Sequence, residues 1–223
     1  MAKDFHHPKV VAGYDAHIRK LIPGYTLMHA QVRATLHVHL ATDAQILIVG
    51  CGTGYEIQYL LQYFPNLQIT AVDPSLTMLQ QAQDNLQGTA QTHQVRFVHG
   101  TVADLDTNLQ FDAALSLLVA HFIANHNKAQ FFAEIYQHLK DDAILMTYDL
   151  LLHTEDYELN ILQCICQEQG LNRSQTEQML VRLEDDFALI SQQGYCDALK
   201  QAGFHKIKTY MQVLNYFGFL AQK

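Results

Sequence analysis

Two rhythms of apolar and polar positions alternate along the chain. A short unbroken apolar run occupies residues 46–49, which close on Gly50, and a second, largely apolar run occupies 67–72, which close on Asp73. Runs this short predict strands buried on both sides in a parallel sheet. Similar runs at 95–99, 111–116 and 143–148 predict three more. Helical spacing fills the gaps at 55–64 and 128–139. Ahead of the first strand, 8–21 reads as a helix stopped by Pro23-Gly24. Residues 25–40 read as a second helix, with Met28, Val32, Leu36 and Leu40 four apart on one face. Residues 150–190 break the alternation. Thr154-Glu155-Asp156 places acids in the first turn of one helix. Ser174-Gln175-Thr176-Glu177 reads as a capping box for another, with Met179, Leu180, Leu183, Phe187 and Ile190 on its apolar face. The tail predicts a helix at 194–202, a turn at Ala202-Gly203, and strands at 204–210 and 213–221, too close together to be anything but antiparallel.

This order predicts an α/β, Rossmann-like sheet, parallel with a terminal antiparallel hairpin, with helices on both faces and right-handed crossovers. We expect a single domain over 1–223: leading helices at 8–40, a ligand-binding core at 45–149, a helical lid at 150–190, and a final helix and hairpin at 191–223. Ligands on such sheets bind at the carboxyl ends of the strands, where Asp73, Thr101, Leu117 and Tyr148-Asp149 fall.

Composition narrows the classes. Apolar residues make up 49% of the 223 and charged residues 16%, the profile of a globular chain with a real core. No apolar run approaches the roughly 18 residues of a membrane span, and the start of the chain lacks the apolar core of a signal peptide. The four cysteines form no C-x-x-C pair, and we expect reduced thiols in a cytoplasmic protein. A formal net charge of −8 argues against nucleic-acid binding. The thirteen histidines show no zinc spacing, so no metal is expected. Between His153 and Ile190 eight acids face Arg173 and Arg182. That excess suits a neutral or cationic substrate beneath a lid, a solvated face, or a homodimer surface.

Gly50-Cys51-Gly52-Thr53-Gly54 sits at a strand-to-helix turn, where missing Cβ atoms let a ligand approach the backbone. An acid closing the next strand, Asp73, is placed to accept hydrogen bonds from a ribose. Tyr55 stands where a dinucleotide fingerprint has its third glycine, and no P-loop lysine follows. The five-residue turn resembles the first motif of the class I S-adenosylmethionine (SAM) methyltransferases. That resemblance implies SAM as cofactor, S-adenosylhomocysteine as product, a small-molecule acceptor, and a turn packed on the methionine half of SAM. Within that class the chain resembles the carboxy-SAM synthase family of tRNA wobble-uridine modification. The likeness rests on Ile22-Pro23-Gly24-Tyr25, the Gly50–Gly54 turn, the helical insertion, and Ala202-Gly203-Phe204. It implies Tyr25, Gly50, Cys51, Gly52, Gly54, Asp73, Pro74, Met78, Thr101, Val102 and Leu117 as cofactor contacts.

Three departures stand against that pattern. The family's arginine for the extra carboxylate falls at Ala198, which favours ordinary SAM. Ile48 and Thr101 stand where acids are common, although Asp104 could reach toward the adenine. Methyl transfer asks the protein mainly for positioning, with a general base where the acceptor must lose a proton. His121 at the end of strand four is the first candidate base, Asp149 the second, and Tyr14 with His17 could enter from the leading helix. Three functions stay open: a small-molecule methyltransferase, a carboxy-SAM synthase relative, and a SAM-binding module without turnover.

Overall fold

The computed structural model describes residue 11, residues 13–153 and residues 155–223. The first part of the expected helix at 8–21, and Thr154 at the start of the lid, lie outside the described residues. The elements run α1 (Tyr14–Leu21), α2 (Tyr25–His39), β1 (Gln45–Val49), α3 (Tyr55–Leu61), β2 (Gln68–Asp73), α4 (Leu76–Leu86), β3 (Val95–His99), β4 (Phe111–Leu117) and α5 (Lys128–Gln137). They continue with β5 (Leu139–Leu150), α6 (Asp156–Glu168), α7 (Arg173–Asp185), α8 (Gln192–Gln201), β6 (His205–Val213) and β7 (Tyr216–Gln222).

Seven strands form one sheet in the order β3-β2-β1-β4-β5-β7-β6. The first five are parallel, and β7 pairs antiparallel with both β5 and β6. The unbroken apolar runs exist because the sheet is covered on both faces. Ile46 and Ile48 point into one apolar layer, and Leu47 and Val49 into the other. The first layer joins Ile18, Met28, Leu117 and Met146 to Leu162, Met179 and Leu183 of the lid. The second holds Phe132, Tyr195 and Leu199, where α5 and α8 cover the sheet. Leading helices and lid therefore lie on the same face, and Cys166 Sγ of α6 reaches Leu21 O at 3.4 Å.

Several boundaries move. β5 begins at Leu139, not 143, because α5 stops at Gln137. Its first turn outward, Lys140-Asp141-Asp142, is exposed, so its polar sequence hides a strand. The lid's second helix is capped by Asn172, not Ser174. Asn172 Oδ1 accepts from Gln175 N at 2.9 Å, and Gln175 Oε1 accepts from Asn172 N at 2.8 Å. The extended backbone of Asn172 (φ −80°, ψ 169°) makes it the cap and leaves Ser174 inside the first turn. The closing hairpin turns at Leu214-Asn215, later than expected. Leu214 adopts φ 51°, a conformation for which leucine gives no sequence signal.

Among the described residues no helix is long and apolar enough to cross a membrane, and no group of His, Cys, Asp or Glu could hold a metal ion. All four cysteines are free thiols.

Candidate functional site

The three glycines of the β1–α3 turn have positive φ (67°, 52° and 80°) but do different things. A Cβ on Gly50 would lie 2.5 Å from Val119 Cγ2. One on Gly54 would lie 2.9 Å from Ala82 Cβ, so Gly54 lets α3 close on α4 and does not face a ligand space. Above Gly52 nothing lies within 4 Å, which leaves the turn open to a ligand. Asp73 stands behind this turn. Its Oδ2 accepts from Gly52 N and its Oδ1 from Ser75 N, each at 2.8 Å. The carboxylate thus fixes the glycine turn to the start of α4, where Ser75 Oγ caps Met78 N at 3.3 Å. Met78, expected at the cofactor, is buried in the first turn of α4.

Two spaces meet at Gly50. A small chamber of about 40 Å³ brings together Tyr14, Tyr25, Cys51, Gly52 and Leu117, with Glu56 added from α3. A wider groove of about 450 Å³ brings together Pro74, Thr101, Val102 and Val119. An elongated ligand can cross Gly50 from one to the other, as a nucleoside joined to an amino acid would. Asp104 does not reach into the groove. Its Oδ2 turns back to accept from Thr101 N at 2.8 Å and Thr101 Oγ1 at 3.0 Å, and these bonds hold its carboxyl below the usual range. Ile48 is buried in the first apolar layer, where an acid would have no partner. Ala198 packs with Phe132 and Leu199 in the second layer, whereas Cys51 and Leu117 of the chamber belong to the first.

Sequence reasoning missed what ties the leading helix to the turn. Thr53 Oγ1 donates to Asp15 Oδ1 at 2.5 Å, and the Arg19 guanidinium sits 4.5 Å over the Tyr55 ring. His29 Nε2 lies 3.2 Å from Glu56 Oε1. Each pairing joins residues from separate elements, which no spacing rule reports. Burial, reinforced by Glu56, pushes the Tyr14 and Tyr25 phenols up, and burial with Asp73 keeps Cys51 a thiol.

A third cavity, of about 240 Å³, lies beneath α7. Tyr14, Ile18, Leu118, His121, Met179, Leu183 and Phe187 wall it, with Arg182 and Asp186 along the lid. Tyr25 lines the chamber and is not among the residues that wall this cavity. Among the lid's described acids, Asp186 alone lines the cavity, while Glu155, Glu168, Glu177 and Asp185 are exposed. Most of the insertion's described acids therefore face outward. Tyr14 and Leu118 wall both this cavity and the chamber at Gly52. Leu118 does so with φ 62°, its N–H donating to Tyr148 O at 2.6 Å. Backbone strain thus sits where the two spaces meet.

His121 is 6% exposed and Asp149 is fully buried. His121 Nδ1 lies 3.0 Å from Asp149 Oδ1, closer than the 3.4 Å to Leu150 N, so the network assigns the ring proton to Nδ1. Nε2 is then the acceptor nitrogen at the cavity. Asp149 is held in turn by the Tyr195 hydroxyl at 2.6 Å and by His121 N at 3.2 Å. Burial beside that carboxylate drives the Tyr195 phenol far up, so it stays a donor. Lys128 Nζ donates to Ala120 O and, at 2.7 Å, to Ile123 O, bracketing His121; burial lowers its ammonium to about 8, against the pull of Asp149. A carboxylate holding an imidazole in one tautomer is the arrangement of a general base.

Comparison with known proteins agrees with this geometry. The family profile described as "Methyltransferase domain" matches residues 46–142. A carboxy-S-adenosyl-L-methionine synthase of Campylobacter hominis is 25% identical over 99% of this chain and 95% of its own length. One from Chromohalobacter salexigens is 22% identical, over 96% and 82%. Among solved structures, a Haemonchus contortus phosphoethanolamine N-methyltransferase 2 in complex with SAM superposes with a TM-score of 0.71 at 14% identity. The match covers 99% of this chain and 58% of that one, and it shows the fold.

Proposed function

We propose that this chain, which carries a methyltransferase domain over residues 46–142, is a SAM-dependent transferase acting on a small molecule held beneath α7. In this reading the methionine half of SAM occupies the chamber beside Tyr14, Tyr25, Cys51, Gly52 and Leu117. The adenine occupies the groove beside Pro74, Thr101 and Val102. Asp73, which fixes the glycine turn, accepts from the ribose. One observation carries the reading: Tyr14 and Leu118 belong to the chamber and to the lidded cavity at once, so a donor and an acceptor can meet between them.

Bound SAM supplies a methyl group activated on a sulfonium. The rest falls to the chain. The apolar cavity walls and the lid hold the acceptor in line and keep water out, which lowers the barrier through orientation. His121 Nε2 takes a proton where the acceptor must lose one, and Asp149 steadies the imidazolium, an aid of about 10²- to 10⁴-fold. Tyr14 borders the transfer path as a neutral phenol. Calorimetric titration with SAM, S-adenosylhomocysteine and NAD tests the cofactor. Binding of the first two is expected, and binding of NAD without SAM would overturn the proposal.

The curated relatives favour a second reading, a carboxy-SAM synthase. Against it stands Ala198, a small apolar residue in a packed layer where the resemblance expects an arginine. Mass spectrometry of the cofactor retained on purification separates the two readings, with ordinary SAM or S-adenosylhomocysteine expected.

A further inference from the structure

We infer that the cavity beneath α7 takes a neutral, planar acceptor, aromatic or conjugated, and presents a hydroxyl oxygen of it for methylation. This rests on the reading of the chain as a methyltransferase, and three observations carry it further.

The first is shape. The Phe122 and Phe187 rings lie 5.0 Å apart, and both meet the His121 ring, at 4.5 and 4.8 Å between centroids. Tyr216 adds a further ring to the wall. Such a corner receives a flat π-system in edge or offset contact, and a puckered ring fills it poorly. The second is charge. Arg182 and Asp186, of opposite sign and one helical turn apart, bring one charge of each sign to the lid side of the cavity. Deeper in, the Asp149 oxygens are taken by His121 and Tyr195, and the Lys128 ammonium by two carbonyls. A charged acceptor body held beside His121 would lose its water and find the deep charges already paired, so a neutral one is selected there.

The third is the fixed tautomer of His121. With Nδ1–H held by Asp149, Nε2 is an acceptor at the aromatic corner. A neutral amine can attack through its own lone pair, and a thiol, with a pKa of about 8.5, ionises readily unaided. A phenolic hydroxyl, with a pKa of about 10, is the acceptor that most needs its proton removed during attack. In the step, an oxygen lone pair forms the bond to the methyl carbon while the carbon–sulfur bond breaks and its electron pair goes to sulfur. The hydroxyl proton passes to Nε2, where Asp149 balances the imidazolium. The products are a methyl ether and S-adenosylhomocysteine, and nothing is oxidised or reduced.

The test uses the full chain and a matched series: 2-naphthol, 2-naphthylamine, 2-naphthalenethiol, 2-naphthoate and the puckered alcohol decahydro-2-naphthol. Binding to the cofactor-free protein is read by ligand-observed NMR, and methyl transfer from labelled SAM by mass spectrometry. We expect 2-naphthol to bind at least about tenfold more tightly than 2-naphthoate or the puckered alcohol, and to be the preferred methyl acceptor. His121→Gln should reduce transfer to 2-naphthol by about 100-fold or more, the scale of a lost general base. The acceptor series on the wild-type chain decides the matter even if that variant fails to fold. Preferred binding of the carboxylate or the puckered alcohol, preferred methylation of the amine or thiol, or no binding or methylation of 2-naphthol would each overturn the inference. Failure of SAM itself to bind would instead sink the proposed function, and the cofactor-free binding comparison still judges the cavity.

Discussion

Replacing Asp73 with alanine should damage the fold and the cofactor site together. The carboxylate accepts two backbone N–H bonds at 2.8 Å, one buried at Ser75 and one part-buried at Gly52. An unsatisfied buried donor costs about 1–3 kcal/mol, and the Gly52 donor, which water can partly reach, falls at the low end of about 1 kcal/mol. The sum of about 2–4 kcal/mol corresponds to a fall in Tm of about 4–16 °C for a chain of this size. Cofactor affinity should drop by about 10- to 100-fold, since a hydrogen bond to a charged acceptor contributes about 1.5–3 kcal/mol. Asp73→Asn keeps one acceptor oxygen and turns an amide N–H₂ toward the other donor, so it should fall between wild type and alanine in both quantities. Differential scanning calorimetry and SAM titration on the three proteins give the numbers. An unchanged Tm in Asp73→Ala would mean that the two bonds add nothing to the fold. An affinity within about threefold of wild type would mean that the ribose is held elsewhere.

Asp149→Asn should lower methyl transfer by about 10²-fold or more, because it disturbs the tautomer of His121, while SAM affinity by calorimetry stays within about threefold; equal loss of both would make Asp149 purely structural. Thr53→Val removes the bond to Asp15, so amide hydrogen exchange across residues 14–21 should quicken, and an unchanged rate would show that α1 is docked by packing alone. Stability should fall at alkaline pH. Burial raises the phenols of Tyr25, Tyr148, Tyr195 and Tyr216 in the folded chain, so above about pH 10 the unfolded chain releases protons that the folded chain keeps. Urea midpoints measured from pH 8 to 11 should therefore decline past 10, and a flat profile would contradict the burial of these hydroxyls.

The sheet was legible because burial on both faces writes itself as short, mainly apolar runs, and because Gly50 and Asp73 punctuate the first two strands. The helical insertion was legible as a break in alternation, and its Met179 and Leu183 share one apolar layer with the leading helices. Polar or misleading local sequence hid the rest. Lys140-Asp141-Asp142 looks like a loop but extends a strand whose outer end is solvated. Leu214 takes a left-handed conformation in the hairpin turn, for which leucine gives no signal, and Asn215 is the only turn residue beside it. At the site, His121 and Asp149 could be placed at neighbouring strand ends, but their 3.0 Å contact and the Tyr195 hydroxyl behind it depend on how α8 docks. Gly54 and Met78, inside the recognised motif, also serve the packing of α4.

Leu118 sets two kinds of selection against each other. Its left-handed backbone costs on the order of 1–2 kcal/mol relative to a residue at ease there. A population screened only for heat resistance should therefore drift toward glycine at 118, since glycine adopts that conformation without strain. The same change would take the side chain out of the partition between the chamber at Gly52 and the cavity beneath α7. Variants recovered from such a screen should melt higher and transfer methyl groups less selectively, with more of the donor lost to water.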